Sequence, residues 1–150
     1  MDLIKLSDDD NSVRLRVIGR RKRGVLPMHD LLDAEIIVES SFIKGRLDVC
    51  FYLSALEEWS LALNTLSAGR NAEWLDSGNG PTIKIELPDD DCDVPSVFIE
   101  DASGSGTSAI IPIALNEGWI EEQRAHLREV MRTWPSEVLK TSSGAYEWRH

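Results

Sequence analysis

Two groups of residues in this chain have the types and spacing that chemistry requires. His29 stands beside Asp30, with Asp33 and Glu35 close behind, so an imidazole and three carboxylates fall within one short stretch. Such a set can move protons near neutral pH, or hold a metal or small ligand. Strand alternation puts Asp33 and Glu35 on one face, with His29 in the preceding loop. This is the enzyme or small-ligand alternative, set against the commoner use of a histidine beside an aspartate as a structural hydrogen bond. The second group is Asp89, Asp91, Asp93 and Glu100, at positions 1, 3, 5 and 12 of a calcium-loop spacing. Its sixth position is Val94 where the sharp turn needs glycine, and Pro95 follows. A solvated acidic loop is the expectation, with no metal and no cofactor assigned. No G-x-S-x-G, phosphate loop or C-x-x-C occurs, and Gly104-Ser105-Gly106 lacks the strand–glycine-loop–helix context of a nucleotide fingerprint.

Charge points to a different kind of function. The 150 residues carry a formal charge of −10, divided between a net +3 over residues 1–24 and a net −13 over residues 25–150. An acidic body repels nucleic acid and membrane surfaces and attracts basic proteins. A protein partner is therefore expected, with neither nucleic acid nor membrane. The surfaces offered to it are Asp89, Asp90, Asp91 and Asp93, then Glu100 and Asp101, with Trp119 as an aromatic anchor. Arg20-Arg21-Lys22-Arg23 is the basic cluster; without aromatic neighbours for stacking bases, it is expected to pair with acidic surface. Cys50 and Cys92 have no metal-like spacing and suit a reduced, cytoplasmic protein. No stretch reads as a signal peptide or a membrane span.

The elements that must position these residues are legible from periodicity. Leu47, Val49 and Phe51 alternate with Asp48, Cys50 and Tyr52, the period of a half-buried strand. Ser54 and Glu57 have capping-box spacing, Leu56, Trp59, Leu63 and Leu66 form a helical stripe, and Gly69 ends it. The same alternation marks strands at Val13–Val17, Ala34–Val38 and Ile83–Leu87, with further strands at Leu3–Leu6, Glu73–Leu75, Val94–Asp101 and Ser108–Leu115. Arg14 and Arg16 can then sit beside Glu35 and Glu39 on a solvated face. Pro112 cannot donate to a ladder and belongs at a sheet edge, a possible place for self-association. Asn116 is the expected N-cap of a second helix, whose buried stripe is Ile120, Leu127, Val130 and Met131 and which Pro135 stops. The reading is a single α+β domain over 1–135, with a mostly antiparallel sheet and two main helices packed on one face. It contains two strand–helix units, and a loosely ordered C-terminal tail follows over 136–150.

Three segments carry a family resemblance: GVLPMHDLLDAEIIVES beginning at Gly24, EEWSLALNTLSAGRNAEWLDSGNGPTIKIEL over Glu57–Leu87, and the VP…SAIIPIAL…W pattern from Val94 to Trp119. In these the chain resembles an uncharacterised actinobacterial family, one of the domains of unknown function. That family has no established activity, so the resemblance implies no catalytic residues. In the order of its elements the chain is also similar to immunity proteins of bacterial toxin systems. That similarity implies a non-enzymatic protein that neutralises a cognate toxin by capping it, and the acidic body would suit a basic one.

Overall fold

The computed structural model describes residues 1–23, 27–75, 80–136, 138–142 and 145–148; beyond 136, and at Pro27 and Met28, only the backbone is described. Four strands open the chain: β1 (Asp2–Ser7), β2 (Ser12–Arg20), β3 (Leu31–Glu39) and β4 (Lys44–Tyr52). They pair in chain order as an antiparallel meander, and helix α1 (Ser54–Ser67) follows. The pattern then recurs: β5 (Ala72–Trp74), β6 (Thr82–Glu86), β7 (Ser96–Glu100) and β8 (Ser108–Pro112) form a second meander, followed by helix α2 (Trp119–Thr133). The fold is α+β, built as two strand–helix units with every strand pairing antiparallel.

The strands form two four-stranded sheets where a single sheet was expected, because β4 pairs with β3 alone and β5 with β6 alone. Alternation identifies a strand but not its neighbour, so this partition could not be read from the pattern. Beyond α2 the backbone forms a hairpin of β9 (Val138–Ser142) and β10 (Ala145–Trp148). The side chains of Tyr146 and Trp148, and residues 76–79, lie outside what is described.

Both sheets bury one face in a common core. Leu3, Leu6, Val13, Leu15, Val17, Leu32 and Ile36 from the first meet Ile83, Ile85, Val97, Ile99 and Ile111 from the second in one continuous cluster. Helix α1 adds Leu56, Trp59, Leu63 and Leu66, the stripe its spacing predicts. Trp59 is centred 5.3 Å from Trp74, and Trp74 is 5.5 Å from Phe51 in an edge-on contact, so aromatic packing ties α1 to both sheets. The Trp74 indole donates to the Ala55 carbonyl at 2.8 Å. Gly69 takes a φ of +81° after the helix, the left-handed conformation that glycine adopts without steric cost.

The helix starts differ from expectation. Leu53 occupies the N-cap of α1, and Ser54 is the first helical residue with no side-chain cap bond. Helix α2 begins at Trp119 after Gly118, while Asn116 folds the preceding turn by accepting from Gly118 N–H at 3.0 Å. Met131 is largely exposed, and the buried stripe is Trp119, Gln123, Leu127 and Val130. Gln123 sits in the middle of that stripe with no exposed surface. Its Oε1 accepts from Lys5 N–H at 2.9 Å, and its Nε2 donates to the Lys5 carbonyl at 3.0 Å and to the Trp119 carbonyl at 3.3 Å. Because β1 is an outer strand, this side-chain amide takes the place of a neighbouring strand and closes that edge of the sheet.

Candidate functional site

The acidic residues are organised by two turns of the same construction. In Asp8-Asp9-Asp10-Asn11 the first aspartate donates its N–H to the Asn11 carbonyl at 2.9 Å, and its Oδ1 accepts from Asp10 and Asn11 N–H, both at 2.8 Å. In Asp89-Asp90-Asp91-Cys92 the first aspartate donates to the Cys92 carbonyl at 2.9 Å and accepts from Asp91 at 2.8 Å and Cys92 at 2.9 Å. Aspartate suits both positions because its short carboxylate reaches the backbone two residues on. In each turn one carboxylate is spent on the fold, and the next two residues, Asp9 and Asp10 or Asp90 and Asp91, are held outward and exposed.

The two turns share one end of the molecule. Asp8 Oδ2 accepts from Ala114 N–H at 2.8 Å, and Asn11 Nδ2 donates to the Pro112 carbonyl at 2.7 Å. On the other side of the same short segment, Ile113 N–H donates to the Pro95 carbonyl at 3.0 Å, two residues after Asp93. Residues 112–114 thus lie between the two acidic turns, and Glu39 and Lys44 border the first of them. The N–H groups of Ala114, Asn11 and Asp10 hold the Asp8 carboxyl below its ordinary pKa, so it is ionised at neutral pH. The expectation of self-association at the Pro112 edge meets the Asn11 side chain, which occupies the Pro112 carbonyl.

The other residues singled out from the sequence are dispersed. Glu100 and Asp101 lie at the far end of β7, separated from Ser96 by about 13 Å of strand. Asp101 is committed to its own hairpin: its Oδ2 accepts from Ser105 N–H at 2.8 Å and Ser105 Oγ at 2.9 Å, which lowers its pKa. A Cβ at Gly104 would stand 2.6 Å from those carboxylate oxygens, so a larger residue there would have to displace the Asp101 side chain. Trp119 is only 9% exposed and belongs to the core, which removes it as a surface anchor. Among the described residues no three His, Cys, Asp or Glu side chains are grouped as a metal ion would require, so Asp89, Asp91, Asp93 and Glu100 do not converge as a calcium loop. Cys50 and Cys92 are free and exposed.

Asp30, Asp33 and Glu35 are drawn to three different arginines, and the His29 carbonyl accepts from Arg20 at 3.5 Å. Pro27–Asp30 forms a single 3-10 turn in which Asp30 pairs with Arg20 at 2.7 Å, accepts from Ser136 Oγ at 2.5 Å, and is 13% exposed against 8% for the arginine. Arg20 also donates to the Pro135 carbonyl at 2.7 Å, so this pair fastens the end of α2 to the start of β3. Asp33 pairs with Arg21 at 2.6 Å, and Glu35, on the same outer face, pairs with Arg46 at 3.2 Å. Arg16 lies opposite Glu35 as expected, but Arg14 pairs with Asp2 and lies opposite Ile37. The basic run thus supplies the counter-ions of Asp30 and Asp33, and these carboxylates hold the fold. Asp30→Ala would remove a carboxylate that Arg20 pairs with in a site nearly closed to water. A loss of about 2 kcal/mol in unfolding free energy is expected, read from the urea midpoint at constant m-value.

The first acidic turn went unremarked as a site because Asp8–Asn11 reads as ordinary turn composition. The signal was the second D-D-D run eighty-one residues later. Among the described residues no helix is long and apolar enough to cross a membrane. No curated protein and no solved structure matches the chain. A family model, however, matches residues 1–135, which take in both acidic turns, both sheets and both helices. The chain belongs to the family of unknown function DUF5959.

Proposed function

We propose that this protein is a non-enzymatic binding protein whose acidic end receives a basic protein partner, and that it serves as an immunity protein capping a cognate toxin in the reducing cytoplasm. The observation that carries the reading is the pair of matching turns, which spend Asp8 and Asp89 on backbone bonds and hold Asp9, Asp10, Asp90 and Asp91 outward. Asp93 and Glu39 extend the same surface. Carboxylates pre-positioned at one end steer a cationic partner and lose little side-chain freedom when it docks. The net charge of −10 acts in the same direction at longer range. Among the described residues Asp30, Asp33 and Glu35 are each held by an arginine, which supports a structural role for them over the enzyme alternative.

The test is co-purification of the tagged full chain with the products of neighbouring genes, each also expressed alone to score toxicity. One neighbour should be toxic alone, harmless with this protein, and bound by it. Asn at positions 9, 10, 90 and 91 together should slow that association by at least about 10-fold at low salt and leave the melting temperature unchanged. If no neighbour binds and none is toxic, the reading fails.

A further inference from the structure

The two outer strands of the first sheet are treated differently. Gln123 closes the β1 edge, whereas β4 is a nine-residue outer strand that among the described residues pairs only with β3. Strand edges of that length template pairing with another chain unless they are covered. The large apolar side chains at this edge are also unusually bare. Phe42, at the tip of the β3–β4 hairpin, is 89% exposed, Ile43 is 44% exposed, and Tyr52 at the other end of β4 is 50% exposed. Ile43 also lines an apolar cavity of about 250 Å³ with Ile36, Val38, Leu47, Ile99 and Ala109.

We infer that the β4 edge is a self-association surface whose occupant is the β4 edge of a second copy, in an antiparallel pair centred on Leu47. The strand's own sequence specifies that register. Residues on one face must meet residues on the same face, so antiparallel registers differ in steps that keep even with even and odd with odd. Centring on Leu47 places Arg46 opposite Asp48 of the second copy, twice by symmetry, and Lys44 opposite Cys50. On the inner face it puts Leu47 against Leu47 and Gly45 against Val49. Continued past the strand ends, it carries Ile43 toward Phe51 and Phe42 toward Tyr52. Shifting the centre to Asp48 opposes two aspartates, and shifting it to Arg46 opposes two arginines; both are unfavourable for facing residues.

The neighbouring charges favour the same register. Across the outer face, Arg16, Glu35 and Asp48 are successive partners, so the row ends at the edge with two adjacent carboxylates. Glu35 has Arg46 as its ion-pair partner, but among the described residues no lysine or arginine nitrogen lies within 4.0 Å of the Asp48 carboxylate. The second copy's Arg46 would supply one. The product is a continuous eight-stranded sheet with an isologous two-fold interface.

The experiment is sedimentation or light scattering of the full chain across a concentration series, with circular dichroism confirming the fold of each variant. Wild type should double in mass as concentration rises. Asp48→Arg should raise the dimer dissociation constant at least about 100-fold, and Arg46→Asp with Asp48→Arg should restore the dimer. Register is read in a Cys92→Ser background. Lys44→Cys should form an intermolecular disulfide with Cys50 on mild oxidation, and Arg46→Cys should not. A wild-type chain that stays monomeric at millimolar concentration overturns the inference. So does a dimer indifferent to Asp48→Arg, or one that crosslinks through Arg46→Cys in preference to Lys44→Cys.

Discussion

Gln123→Glu is expected to lower the unfolding free energy by about 4 kcal/mol at neutral pH, a large share of the 5–15 kcal/mol typical of a whole domain. The substitution keeps the volume and replaces the Nε2 donor with an oxygen that faces the Lys5 and Trp119 carbonyls. A carboxylate with no exposed surface would then stand among acceptors, with the Lys5 N–H as its donor. Burial raises the pKa of such a group in the folded state above its unfolded value, so the folded protein binds the extra proton. The deficit is therefore full above the folded pKa and shrinks as pH falls through it, where a protonated carboxyl can donate to the Lys5 carbonyl. Urea unfolding of variant and wild type at pH 7 and pH 5 checks this; an equal difference at both values would contradict it. Gln123→Leu should cost less, about 2–3 kcal/mol without the pH dependence, because it orphans the Lys5 amide but buries no charge.

Trp59→Ala is expected to cost about 3–5 kcal/mol, the range for removing a fully buried aromatic ring from a packed core. Trp59 lies on α1 and touches the Trp74 ring that in turn packs on Phe51, so its loss leaves a cavity where both sheets and the helix meet. A comparison of phenylalanine variants separates packing from hydrogen bonding. Among the described residues the Trp59 Nε1 has no hydrogen-bond partner, whereas the Trp74 Nε1 donates to Ala55. Trp74→Phe should thus exceed Trp59→Phe by about 1 kcal/mol in a denaturant titration.

Much of this architecture was legible in the sequence, and the exceptions have physical causes. The alternation of Val13, Leu15 and Val17, and of Ile83 and Ile85, reported which face each strand buries because period two is a local property. Which strand neighbours which is a long-range property, so the division into two sheets was hidden. Trp119 was read as a surface anchor because interface anchors are often aromatic, yet it opens the stripe that continues to Gln123 and Leu127. Gln123 itself was readable in principle: a polar amide in register with an apolar stripe has to find partners. The His29 region looked like a site because its residues are neighbours in sequence. Arg20, Arg21 and Arg46, which claim its carboxylates, come from β2, the segment after it and β4. Both acidic turns were visible as composition, but their placement at one end depends on Pro112–Ala114 reaching back more than a hundred residues to Asp8 and Asn11.

The Gln123 clasp also sets a schedule. The strand it protects is made first, and the side chain that protects it lies 118 residues later. Chains leave the ribosome at about 5–20 residues per second, so β1 waits roughly 6–24 seconds with its outer edge bare. During that interval β1 through β4 can already form the first meander from contacts between consecutive strands, an arrangement that closes quickly. What the nascent chain lacks is the seal. A pause in synthesis between α1 and α2 would prolong the most association-prone stage of folding, and a chain released before Gln123 would keep that edge open permanently.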